Sequence, residues 1–120
     1  MFFKKIKKII TIFKNPGLIK FLTKKIVPST EHIHILKSLN KIDIFIDVGA
    51  NKGQFSAIAS YLYPNSEIIS FEPLKNVCSN AKKKFKKYKN ITFHNYAIGN
   101  EEGLIPLNVS KKDDSSSILS

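Results

Sequence analysis

Two carboxylates and two glycines hold the chemistry that this sequence can do. Asp47 begins the segment D-V-G-A-N-K-G, which contains Gly49 and Gly53, and Glu72 follows 19 residues after Gly53 within F-E-P. Glycine has no Cβ, so Gly49 and Gly53 let the chain turn tightly and come close to a ligand. Asp47 and Glu72 are expected at the ends of two successive parallel strands, where doubly wound sheets bind ligands. An acid in the second position can accept hydrogen bonds from both hydroxyls of a ribose. Each residue also has a purely structural explanation. The glycines could serve a tight turn only, Asp47 could cap a helix, and Glu72 could be a surface acid before a proline. Asn51 could contact ligand or only tolerate an unusual backbone angle.

The charges narrow the choice of ribose-bearing ligand. A dinucleotide would set a pyrophosphate over the loop, next to the like charge of Asp47, which is unfavourable. The spacing also departs from G-x-G-x-x-G, because Asn51 stands where a middle glycine belongs. S-Adenosyl-L-methionine has no phosphate and carries a sulfonium and an ammonium, which a carboxylate attracts. It is therefore the expected cofactor.

Other constellations are weaker. His32 and His34 are two apart and face different ways on a helix, and His94 is isolated in a strand, so no metal site is expected. Ser115, Ser116 and Ser117 have no paired histidine, and no Walker-type loop is present. The single cysteine, Cys78, lies on the apolar side of a helical pattern, excludes an internal disulfide and fits a reducing compartment.

Hydropathy patterning supplies the elements that position the loop. Residues 42–48 and 67–71 read as strands buried on both faces, and residues 91–96 as a third strand. Residues 54–63 and 74–88 read as the intervening helices. The second has Leu74, Val77, Cys78, Ala81, Phe85 and Tyr88 on one side and a solvated lysine run on the other. Residues 104–109 read as a strand able to form a hairpin, and residues 111–120 as a polar, mobile tail. Alternating strands and helices give a parallel α/β sheet.

At 120 residues and 42% hydrophobic content, the chain can build one core. Its net charge of +11 is uneven: residues 1–41 hold ten lysines and one acid, Glu31, and the remainder is nearly balanced. No arginine is present, so specific nucleic-acid readout is poorly equipped, while lysine suits diffuse attraction to anionic surfaces.

Helices are expected at residues 2–14, at 18–27, and at 31–39 with Ser29 or Thr30 as its cap. In the first, Phe2, Ile6, Ile9, Ile10 and Phe13 share roughly one third of the circumference, opposite the lysines. This stripe either packs on the domain or lies in an anionic membrane surface. With no apolar run of signal or membrane-span length, a cytoplasmic location is expected, with peripheral contact at the inner membrane surface as an option.

D-V-G-A-N-K-G-Q-F at residues 47–55 and I-I-S-F-E-P-L at 68–74 resemble the FkbM family of S-adenosylmethionine-dependent methyltransferases. N-Y-A-I-G-N-E-E-G at 95–103 and S-S-S-I-L at 115–119 are similar to later segments of that family. The resemblance implies a Rossmann-like methyltransferase fold and O-methylation of a sugar, glycan or other hydroxylated small molecule. It places Asp47, Gly49, Asn51 and Gly53 at the methionine end of the cofactor, Glu72 on the ribose and Ala97 near the adenine. Such methyltransferases have about seven strands. The chain is thus expected to hold a partial fold: basic N-terminal helices at 1–41, then a strand-helix-strand-helix-strand half-domain plus hairpin strand at 42–110. The family's next core strand is expected to be missing from the chain, and the acceptor pocket and any catalytic base are expected to lie largely in that missing half. The first strand is then an exposed edge prone to self-association. A catalytically silent remnant with weak or no cofactor binding, or a lysine-rich protein associating with membrane or RNA, are the alternatives.

Overall fold

A computed structural model describes residues 2–104 and the short segments 107–108 and 117–118. The chain opens with helix α1 (Phe2–Lys14), a 3-10 turn at Pro16–Leu18 and helix α2 (Ile19–Thr23). A second 3-10 turn, Thr30–His32, leads into α3 (Ile33–Ser38). The α/β unit follows as β1 (Ile44–Val48), α4 (Gln54–Leu62), β2 (Glu67–Phe71), α5 (Lys75–Lys84) and β3 (Ile91–His94).

The three strands form one parallel sheet in the order β1-β2-β3. Ile44 pairs with Glu67 and Val48 with Phe71, while Ile68 pairs with Ile91 and Phe71 with His94. This register sets Phe45, Ile68 and Ile91 in one row and Asp47, Ser70 and Phe93 in the next, all on one face because side chains alternate along a strand. That face is packed, with Ile58, Cys78, Ala81 and Phe85 buried in the same core as Phe45, Ile68 and Phe93.

The opposite face differs from the expectation of strands buried on both sides. Ile44, Ile46 and Val48 are exposed, Ile46 to 64%. The described helices cover only one side of the sheet, so the apolar run of β1 is half buried.

The basic N-terminal segment shares this core. Leu18, Phe21 and Ile26 are fully buried. The Phe21 ring lies 5.8 Å from that of Tyr88, stacked, and 6.1 Å from that of Phe85. Lys24 Nζ donates to the Lys84 carbonyl at 3.0 Å. Helix α2 is shorter than its apolar pattern suggests because Lys25 turns left-handed at φ +59°. The Ile26 N–H then donates back to the Phe21 carbonyl at 2.9 Å, which ends the helix with its carbonyls satisfied. The expected serine cap before α3 is not formed: Ser29 makes no side-chain capping bond.

Helix α1 docks by a different side than its hydropathy suggests. Ile12 is its one buried residue, and Lys8 reaches Glu31 at 3.6 Å. Phe2, Ile6, Ile9, Ile10 and Phe13 all remain exposed, so the stripe does not pack on the domain. In the C-terminal region, Leu107–Asn108 pairs antiparallel with Ser117–Ile118, so part of the segment expected to be a tail is strand. The rest of residues 105–120 lies outside the described set.

Because Phe21 joins the N-terminal helices to Phe85 and Tyr88, just beyond α5, Phe21→Ala should cost about 3–5 kcal/mol. Urea unfolding followed by circular dichroism should show one shifted transition. Loss of the N-terminal helices alone, with the sheet unaffected, would contradict this shared core.

Candidate functional site

The loop between β1 and α4 is closed almost entirely by its own hydrogen bonds. The N–H groups of Gly49 and Ala50 both donate to the Phe71 carbonyl at 2.9 Å, and Gly53 N–H donates to the Ala50 carbonyl at 2.9 Å. Asn51 N–H donates to Glu72 Oε1 at 2.9 Å, and Lys52 N–H to Gln54 Oε1 at 3.1 Å. All five loop N–H groups are therefore engaged. A phosphate-binding loop works by presenting such groups to the ligand, and this one does not.

Glu72 is the other end of the constraint. Its second carboxylate oxygen accepts the Leu74 N–H at 2.7 Å. Its main chain is also held: its N–H donates to the His94 carbonyl, and Asn95 Nδ2 donates to the carbonyls of Glu72 and Pro73 at 2.9 Å each. Glu72 is only 5% exposed, so it is no surface acid. Its carboxylate retains acceptor capacity, since two oxygens offer about four lone-pair sites.

The two glycines do different work. Both have positive φ, +75° at Gly49 and +87° at Gly53. A Cβ at Gly49 would meet nothing within 4 Å, whereas one at Gly53 would lie 2.4 Å from Phe85 Cε2. Gly49 faces free space at the end of β1, and Gly53 is pressed against the core. Asn51 takes the left-handed region at φ +50°, which asparagine tolerates, and its buried Oδ1 has no hydrogen-bond partner among the described residues. A buried acceptor left open is uncommon and calls for a donor from elsewhere.

Asp47 does not cap α4, whose first turn has no side-chain capping bond. Its carboxylate lies under the helix and accepts a long hydrogen bond from Ser56 Oγ at 3.5 Å. Ser56 Oγ is 2.9 Å from Ser70 Oγ, both fully buried. With the Ser56 proton directed at Asp47, Ser70 must donate to Ser56. Burial raises the Asp47 pKa from its ordinary value, and the Glu72 charge adds to this; the Ser56 hydroxyl and the His32 side chain oppose it. Neither serine stands out in the sequence. The strand register that pairs Asp47 with Ser70 is what brings them together.

Ala97 lies where β3 leads away from the sheet. A cleft of about 640 Å³ there has Phe71, Tyr96, Ala97 and Ile98 among its walls, and a second of about 430 Å³ includes Pro73, Asn95 and Ala97. Both run beside the carboxyl ends of β2 and β3. Asp47, Asn51 and Glu72 thus gather at one end of the sheet, with Ala97 across β2 from Asp47.

The sequence profile of the methyltransferase FkbM domain matches residues 47–120, from Asp47 through the loop, F-E-P and the segments beyond. The chain belongs to this family. No curated protein gives a significant sequence match to this FkbM domain. Among solved structures, it is similar to a precorrin-6Y C5,15-methyltransferase from Geobacter metallireducens, with 28% identity and a TM-score of 0.43. That alignment covers 51% of this chain and 35% of the other, so the chain spans about a third of that structure's length.

Substitution separates the two glycines. Gly53→Ala combines the left-handed penalty with the Phe85 clash and should destabilise by about 2–4 kcal/mol. Gly49→Ala meets no neighbour and should cost only about 1–2 kcal/mol. Equal losses in chemical denaturation would contradict the packing assignment.

Asp47→Asn should raise the melting temperature of the free protein at neutral pH. A raised carboxyl pKa means that the folded state holds the proton more tightly than the unfolded one. The ionised group therefore costs stability above its folded pKa. The gain should shrink as pH falls through that pKa and vanish below the ordinary carboxylate range. Melting curves across the acidic range measure it, and a variant less stable at neutral pH would refute it.

Proposed function

We propose that this FkbM domain binds S-adenosyl-L-methionine and serves O-methylation of a sugar or other hydroxylated acceptor. One observation carries the reading: the loop after β1 has all five N–H groups engaged, yet it stands between two carboxylates, Asp47 and Glu72. Such a site is poor for phosphate and good for a cation. The open Asn51 Oδ1 suits an ammonium donor, and the free space beside Gly49 leaves room for a ligand.

In this reading Asp47, Gly49 and Asn51 hold the methionine end, and Gly53 shapes the loop that presents them. The free lone pairs of Glu72 take the ribose hydroxyls, and the cleft at Ala97 takes the adenine. Bound there, the cofactor supplies a methyl group activated by its sulfonium. The role of these residues is to bind and orient it, and orientation is a large part of what a methyl transfer needs. The buried free thiol of Cys78 fits a reducing compartment such as the cytoplasm.

Titration calorimetry tests the reading. S-Adenosylmethionine and its demethylated product, which shares the ammonium and ribose, should bind, and NAD⁺ should not. Asp47→Asn should weaken the methyl donor roughly tenfold or more. Because the cation favours ionised Asp47, wild-type affinity should fall as pH drops through the raised Asp47 pKa, and the variant should lose that dependence. No heat from folded protein at millimolar cofactor would overturn the proposal.

A further inference from the structure

The side of α1 that faces away from the domain is apolar, and this inverts the usual arrangement of a surface helix. At 100° per residue, Thr11, Lys8 and Ile12 lie on the docked side. Those are the three residues of α1 that are at least partly buried. On the far side, Phe2, Ile6, Ile9, Ile10 and Phe13 span an arc of about 100–120°. Phe2 and Phe13 are each 71% exposed. The apolar surface continues onto the neighbouring elements. A groove of about 340 Å³ is lined by Ile9 and Phe13 together with Ile19, Leu22 and Val27, and also by Lys5 and Lys8. Contiguous apolar surface of this kind marks an interaction site.

The charge pattern selects the occupant. Helix α1 has five lysines and no acid. Lys5 borders the apolar arc on one side, and Lys7 and Lys14 border it on the other, all exposed. A second copy of the chain would face one lysine set with another. A nucleic acid would satisfy the lysines and leave the phenylalanines in water. An anionic bilayer meets both needs: the arc enters the boundary between headgroups and acyl chains, and the flanking lysines reach lipid phosphates along their flexible stems.

We infer that α1, with Ile19, Leu22 and Val27 beside it, is a peripheral docking surface for an anionic phospholipid membrane, the helix lying in the interface plane. No helix among the described residues is long and apolar enough to cross a membrane. A helix of this length lying flat covers roughly 20 Å of surface. The inference is independent of the cofactor proposal, because none of these residues belongs to the loop or its partners.

Flotation of the full chain with lipid vesicles tests it. Vesicles of phosphatidylcholine mixed with phosphatidylglycerol should carry the protein, those of phosphatidylcholine alone should not, and binding should weaken as salt rises. The double variant Lys7→Gln/Lys14→Gln should lose about 25-fold in partitioning, at about fivefold per lysine. Phe13→Asp should lose about tenfold or more. Both variants alter exposed side chains, so their circular dichroism and melting should match wild type. Three results would overturn the inference: no flotation with the mixed vesicles, equal flotation with both kinds, or a solution dimer in ultracentrifugation that Phe13→Asp dissociates.

Discussion

The buried carboxylate of Glu72 adds a side-chain tie between two loops whose main chains also meet through the Phe71 carbonyl. One oxygen accepts the Asn51 N–H and the other the Leu74 N–H. The β1–α4 loop is thereby fixed against the exit of β2. The peptide of Glu72 is held in turn through His94 and Asn95 at the exit of β3. Three strand ends are thus locked by one residue and its neighbours. A carboxylate with little exposure is tolerable only because it accepts charge-assisted bonds from backbone donors. These bonds leave part of its acceptor capacity unused. Under the proposed function, structural and ligand-binding roles are not alternatives at Glu72, since bracing the loop is what would aim the remaining lone pairs.

Asp47 completes the electrostatics in the opposite sense. Glu72 is satisfied by two short bonds, while Asp47 has one long bond and a burial penalty. The free protein therefore holds a carboxylate that gains from any cation placed near it. Functional sites often retain such destabilised groups, because the ligand supplies what the fold withholds. The loop's saturated N–H groups act in the same direction by offering nothing to an anion. The proposal of a cationic, phosphate-free ligand rests on these two features together, and neither would suffice alone.

Much of this was legible in the sequence, and what was not depended on long-range register. The strands and their helices followed from hydropathy, with β2 at its expected bounds and the others trimmed by a few residues at their ends. The loop and both acids followed from spacing along a strand-turn-helix unit. The serine pair beneath Asp47 did not, because Ser56 and Ser70 meet only once β1 and β2 pair with Asp47 opposite Ser70. Nor did the need for glycine at position 53, which comes from Phe85, a residue far along the chain. Apolar content in β1 likewise implied burial on two faces, but composition says nothing about how many layers cover a sheet.

The same distinction explains why the apolar side of α1 points to a partner and the open face of the sheet does not. On the open face of the sheet, Ile44, Ile46 and Val48 lie beside Ile69 and Phe71, which are partly buried. Their neighbours in register, Glu67, Thr92 and His94, are of mixed character. That face calls for cover without specifying its chemistry. Helix α1 differs because its lysines follow the border of its apolar arc, and because Ile12 and the Lys8–Glu31 pair hold the helix by its other side. Hydrophobic area is non-directional and accepts any apolar surface. A charge border of one sign excludes most candidates. The orientation of α1, set by a single buried isoleucine and one ion pair, converts an ordinary amphipathic pattern into a surface with a defined complement.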